Sequence, residues 1–128
     1  MIFKQTWLHI ADSTTVRWLR IFHLYKGFHR KVTYSGHFVK GSARVVEPPR
    51  IEYKGFKFKF NKKGNICRAI IIRLNRHLLR PDGSVSRFFS NNGILIKKKQ
   101  NIKSKYLVGP TTINLKRKKF KTALKHVL

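Results

Sequence analysis

Between Met1 and Gln100 the chain is cut by turn-forming residues so often that only short extended segments fit between them. Gly36, Gly41, Pro48-Pro49, Lys63-Gly64-Asn65, Arg80-Pro81-Asp82-Gly83-Ser84 and Asn91-Asn92-Gly93 supply the breaks. A proline pair gives a ladder no amide hydrogens, and Asp-Gly favours a turn with positive φ. What lies between alternates with the period of a strand. Residues 5–10 put Trp7 and His9 on one face and Thr6, Leu8 and Ile10 on the other, and residues 11–15 form a short polar turn. Residues 17–25 put Leu19, Ile21, His23 and Tyr25 on one side and Trp18, Arg20, Phe22 and Leu24 on the other. Neither side is purely polar, which leaves one face for a partner.

A basic connection over residues 26–31 follows, then a strand over 32–46 that Gly36 and Gly41 interrupt as bulges or sharp bends. Residues 50–63 read as a lysine-rich loop or hairpin in which Phe56, Phe58 and Phe60 alternate with Lys57 and Lys59. Residues 66–74 make the most apolar strand, 85–89 a further one, and 94–97 another after the Asn91-Asn92-Gly93 turn. Helical crossovers for a parallel sheet have no room. The expected fold is all-β: a small closed antiparallel five-stranded barrel, because closure removes exposed edges. The end differs. Gly109-Pro110-Thr111-Thr112 can start a helix, and Phe120, Leu124 and Leu128 recur every four residues among lysines. That pattern predicts a C-terminal pair of short amphipathic helices docked on the barrel.

Charge narrows the function. The 128 residues carry 30 Lys or Arg against 4 Asp or Glu, a formal net charge of +26. Residues 1–64 hold net +11 and residues 65–128 net +15, so both halves need a negative field to relieve self-repulsion. Nucleic acid is the first candidate and an acidic membrane surface the second, although no apolar run approaches a membrane span. Folded RNA that encloses the protein on several sides meets the requirement better than a duplex touched on one face. With 41% apolar residues and 12% aromatic ones, the chain can build a core.

Catalysis lacks material. Acid–base pairs and two-metal sites draw on several carboxylates, and Asp12 and Asp82 fall in turns while Glu47 and Glu52 flank the prolines among basic residues. The six histidines are scattered, and no Cys-x-x-Cys pair is present to suggest zinc. Cys67, the single cysteine, reads as a core or barrel-wall residue and excludes an internal disulfide. No catalytic residue, metal site or cofactor is expected. The start carries neither a secretory signal nor a long Arg/Ser-rich leader.

The cations that remain are candidate phosphate contacts, and they fall on several elements. They are Arg17; Lys26, Arg30 and Lys31 with Arg44 and Arg50; Lys54, Lys57 and Lys59; Arg73, Arg76, Arg80 and Arg87 around the Asp-Gly turn; Lys97 and Lys98; and Lys116, Arg117 and Lys119 near the end. Arg80 and Arg87 could equally pair with Asp82. Phosphate contacts position a protein without reading sequence, so the expected target is a folded RNA shape.

The stretch Arg68-Ala69-Ile70-Ile71-Ile72-Arg73, followed by Leu79-Arg80-Pro81-Asp82-Gly83-Ser84-Val85-Ser86-Arg87-Phe88, resembles the large-subunit ribosomal protein L14 family. Gln5-Thr6, Leu8 and Ala11-Asp12-Ser13 match near the start, and Val108-Gly109-Pro110-Thr111 and the block ending in Phe120 and Leu124 match near the end. The resemblance implies a five-stranded barrel with a small helical end, bound to large-subunit rRNA at the intersubunit face. It further implies a bridge to small-subunit rRNA and a sheet-like contact with a neighbouring L19-family protein around residues 100–109, through Lys105, Tyr106, Leu107 and Val108. A silencing factor that blocks subunit joining is a possible further partner; no membrane and no homo-oligomer are expected.

The implied layout is one domain over 1–128: barrel about 1–98, connecting strand or loop 99–109, helical part 110–128. Thr15 stands where the family favours glycine, the end lacks acids, and residues 53–60 are richer in aromatics. Together with 19 Lys to 11 Arg and many Ile, Phe and Asn, this drift points to an organellar member, a mitochondrial one first and another organellar or bacterial ribosome second. The alternative function is a standalone RNA-binding or chaperone barrel of the oligonucleotide-binding type; a small nuclease is a third.

Overall fold

In the computed structural model the described residues are 1–27, 29–48, 61–99, 101–104, 106–115 and 120. Nine strands form: β1 (Ile2–Phe3), β2 (Trp7–Ile10), β3 (Val16–Leu24), β4 (Val32–Thr33), β5 (Phe38–Val46), β6 (Ile66–Arg73), β7 (Leu78–Leu79), β8 (Val85–Ser86) and β9 (Asn92–Ile96). Five of them close a barrel in the order β2-β3-β5-β6-β9, with β1–β4 and β7–β8 as small two-stranded additions. Four seams of the barrel are antiparallel, and the closing seam, β2 with β9, is parallel. The expected closed five-stranded barrel is present. The expected C-terminal helix pair lies outside the described residues, apart from Phe120, which is helical and buried.

Two apolar clusters hold the barrel. Inside it, Leu8, Ile10, Leu19, Ile21, Val39, Ala69, Ile71 and Leu95 are fully enclosed, with Ile2 joining them from β1. Cys67 belongs to this cluster, and its burial raises the thiol pKa. Outside the wall, Ile70 and Ile72 of β6 and Ile94 and Ile96 of β9 are covered by Leu115 and Phe120, with Phe38 and Leu107 packed alongside. The apolar run of β6 thus feeds both clusters, which is why it shows no alternation.

Strand β3 departs from simple alternation. Val16, Leu19, Ile21 and Leu24 are the buried residues, and His23 is exposed. Register shifts against β5 at Val16/Trp18, Trp18/Leu19 and Ile21/His23 reset the facing twice, so Leu24 and not His23 completes the interior. Gly41 lies opposite, in mid-strand: a Cβ there would sit 2.6 Å from the Arg20 carbonyl oxygen and 2.7 Å from Leu19 Cγ. The glycine lets the two walls close together.

The Asn91-Asn92-Gly93 turn expected from sequence is shorter than that. Asn92 and Gly93 belong to β9, paired with His9 and Ile10 of β2. A Cβ on Gly93 would fall 2.7 Å from Leu8 Cδ2 and 3.0 Å from the Ile70 carbonyl oxygen. Here glycine marks a tight barrel wall. The Arg80–Ser84 turn forms as expected, with the Arg80 amide donating to the Ser84 carbonyl at 2.8 Å and Gly83 at φ +85°.

Candidate nucleic-acid interface

Asp12 organises one end of the barrel. It is almost fully buried and ties its own turn to β9. One carboxylate oxygen accepts from the Thr14 amide at 2.8 Å and from the Thr14 hydroxyl, and the other accepts from the Leu95 amide at 2.9 Å. Burial raises its pKa, and these hydrogen bonds oppose that shift. The turn role expected for Asp12 is present, with an added long-range strut to β9.

Beside it, the 106–108 segment pairs antiparallel with 11–13. The Val108 amide donates to the Ala11 carbonyl at 2.9 Å and the Ser13 amide to the Tyr106 carbonyl at 3.1 Å. Leu107 packs against the outer apolar cluster, while the Tyr106 and Val108 side chains stand out, 69% and 64% exposed. Lys105, the fourth residue of the expected protein contact, lies outside the described residues.

The cationic candidates divide by how much of their hydrogen-bonding capacity the chain itself uses. Arg17 makes the one ion pair among the described residues, bidentate to Glu47 at 2.5 and 2.6 Å. Arg73 is buried, and its Nη1 donates to the Val108 carbonyl at 2.7 Å and the Pro110 carbonyl at 2.9 Å. Its desolvation lowers its pKa, and Gly109, at φ +82°, passes where any Cβ would strike the guanidinium. The place of Arg73 at the end of an apolar strand among other arginines predicts a phosphate contact. The structure turns it inward as a clamp on the C-terminal segment.

Arg30 is partly committed as well: its Nε donates to the Val32 carbonyl at 2.9 Å and its Nη2 lies 3.3 Å from His37 Nδ1. With Phe3, Lys4, His29 and Lys31 it lines a cleft of about 430 Å³. Lys26 is exposed at φ +79°, before Gly27 at φ +119°.

Around the β7–β8 hairpin, Asp82 accepts from the Ser84 amide at 3.0 Å and the Ser84 hydroxyl at 2.7 Å. These bonds hold its carboxyl below the usual range, with Arg80 contributing less. Arg87 instead donates from Nε to Asn75 Oδ1 at 3.1 Å. Arg76 sits 5.2 Å above the Tyr34 ring. A second cleft, about 440 Å³, opens beside them, with Tyr34, Arg76, His77, Ser86 and Phe88 in its lining. The Arg80 Nε and Ser86 Oγ are buried without a hydrogen-bond partner among the described residues. Lys97 and Lys98 are exposed just past β9, and Arg44 is exposed on β5. Arg50, Lys54, Lys57, Lys59, Lys116, Arg117 and Lys119 lie outside the described residues, as do Phe56, Phe58 and Phe60.

Sequence reading missed one surface. The outer face of β2, β3, β5 and β6 carries Trp7, Trp18, Arg20, Lys40 and Arg68, none of which was singled out as a contact. The signal was the mixed, never polar, outer side of residues 17–25. Among the described residues no three His, Cys, Asp or Glu side chains converge as metal ligands would.

Fold and surface together define a small cationic barrel whose arginines and lysines face outward on several elements. The ribosomal protein L14p/L23e family matches residues 1–126. The chain belongs to that family and is a ribosomal protein. A similar protein is the large ribosomal subunit protein uL14m of Tetrahymena pyriformis, 37% identical over 123 residues that cover 96% of each chain.

Proposed function

We propose that this protein is a structural, non-catalytic constituent of the mitochondrial large ribosomal subunit, held by large-subunit rRNA at the intersubunit face. Family membership over 1–126 carries the reading, and its mitochondrial part rests on the similarity to the mitochondrial homologue uL14m and on the compositional drift. The surface agrees with RNA as the neutralising partner: +26 net charge with one internal ion pair among the described residues. Among the described residues the phosphate contacts in this reading are Lys26, Lys31, Arg44, Arg76, Arg80, Arg87, Lys97 and Lys98, with the candidates at 50–59 and 116–119 completing the set. Arg73 holds the segment that the contacts flank.

Tyr106 and Val108 present side chains to a neighbouring ribosomal protein of the L19 family. Their own amide and carbonyl groups are largely used within the chain, so that contact relies on side chains and on Leu107. A bridge to small-subunit rRNA, and docking of a silencing factor on the same exposed face, complete the proposal, with a single domain over 1–128. Sedimentation tests it: the protein will remain with large subunits through a moderate salt wash, because many enclosed contacts resist screening. A standalone RNA-binding barrel will wash off.

A further inference from the structure

The outer wall of β2, β3, β5 and β6 differs from the rest of the barrel surface. The C-terminal segment covers Ile70, Ile72, Ile94 and Ile96, but no described residue covers this sector. Its side chains run in registered rows. Trp7 faces Arg20, Arg20 faces Ser42 and Ser42 faces Ile66; His9 faces Trp18; Lys40 faces Arg68. Adjacent strands lie about 4.8 Å apart, so each row is a continuous strip. Trp7 is 46% exposed and Trp18 39%, large values for tryptophan. Trp18 meets Trp7 at 6.4 Å and His9 at 5.1 Å, both edge to face, so the rings do not seal one another by stacking. The Arg20 Nε is buried without a hydrogen-bond partner among the described residues. The Glu47 carboxylate, just past the end of β5, is taken by Arg17.

We propose that this wall is a stacking platform for unpaired RNA bases, with Trp7 and Trp18 as the aromatic surfaces and Arg20, Lys40, Arg44 and Arg68 on the flanking phosphates. The proposal rests on the RNA-binding reading above and names which part of the RNA this sector takes. Aromatic faces set among cations, with the neighbouring Glu47 carboxylate paired to Arg17, complement a ligand that repeats flat rings and negative charge. A duplex offers the charge but hides the rings.

Trp7 and Trp18 are the chain's two tryptophans, so fluorescence excited selectively at tryptophan, clear of the four tyrosines, reports on this wall alone. The full chain is titrated with single-stranded oligoadenylate and with a paired RNA duplex of equal length, and binding to large-subunit rRNA is followed separately. Stacking predicts fluorescence quenching that tracks occupancy by the single strand and is much weaker at equal occupancy by the duplex. Trp7→Leu and Trp18→Leu should each lose about tenfold in single-strand affinity, and Trp7→Phe and Trp18→Phe should retain most of it. If the single strand binds without quenching and the leucine variants bind it as wild type does, the platform is overturned while rRNA binding stands, and the wall belongs to a protein segment. If wild-type protein binds no RNA at all, the underlying reading falls with it.

Discussion

Replacing Asp12 should loosen its own turn and that turn's tie to β9 at once. In Asp12→Ala the Leu95 amide, buried in the barrel wall, loses its acceptor, and so do the Thr14 amide and hydroxyl. A buried unsatisfied amide costs about 1–3 kcal/mol, while the part-buried Thr14 groups can recover water. Removing the carboxylate also removes its desolvation cost, which is what raises its pKa. The net expectation is a loss of about 2 kcal/mol. Asp12→Asn keeps one acceptor but turns an amide donor toward a donor, for a loss of about 2 kcal/mol.

Urea unfolding reads this directly. With a slope of roughly 1.5 kcal/mol per molar, the alanine variant's midpoint should fall by about 1.3 M. The raised pKa fixes the pH dependence. Folded Asp12 binds its proton more readily than the unfolded chain does, so its contribution to stability is greatest in acid and declines as pH rises through the folded pKa. The wild-type advantage over Asp12→Asn should therefore shrink from pH 4 upward. A midpoint shift below about 0.3 M for Asp12→Ala would refute the strut, and a wild-type advantage that grows with pH would refute the dominance of burial over its hydrogen bonds.

Gly109→Ala should cost more than Gly83→Ala, although both glycines have nearly equal positive φ, +82° and +85°. Gly83 has open space for a Cβ, so the substitution there costs about 1 kcal/mol of backbone strain. At Gly109 the Cβ displaces the Arg73 guanidinium, adding about 2 kcal/mol, and equal thermal shifts would discount the clamp. His9 accepts at Nδ1 from the Asn92 side chain at 3.0 Å, and burial, then Arg17 and Arg73, lower its pKa. The unfolded chain takes this proton first, so stability should fall as pH drops below about 6.5, and His9→Gln should flatten that limb of a denaturation-versus-pH profile. Reversing Lys40 and Arg68 to Glu should reduce the salt dependence of rRNA binding by about one unit of log–log slope each, with the urea midpoint nearly unchanged.

The barrel was legible because Leu8 and Ile10, Val39 and Ala43, and the run through Ile71 announce an enclosed interior in local sequence. What escaped depended on distant partners. The facing of Leu24 and His23 is decided by bulges against β5, and Asn92-Gly93 reads as a turn until Leu8 is seen pressing on Gly93. The parallel seam between β2 and β9 joins segments about eighty residues apart, which no local pattern encodes. Arg73 looked like its exposed neighbours because a basic run does not say which member turns inward toward the Val108 and Pro110 carbonyls. The wall of Trp7 and Trp18 was visible only as an outer strand face that declined to be polar.

Crosslinking of the protein to rRNA within intact large subunits, read residue by residue, bears most directly on RNA enclosing the barrel. Adducts should appear on at least three separate elements, among them Lys40 or Arg68 on the wall, Arg76 or Arg87 at the hairpin, and Lys97 or Lys98 beyond β9. Adducts confined to one of these elements, with the others free to react with small lysine- and arginine-modifying reagents, would contradict it.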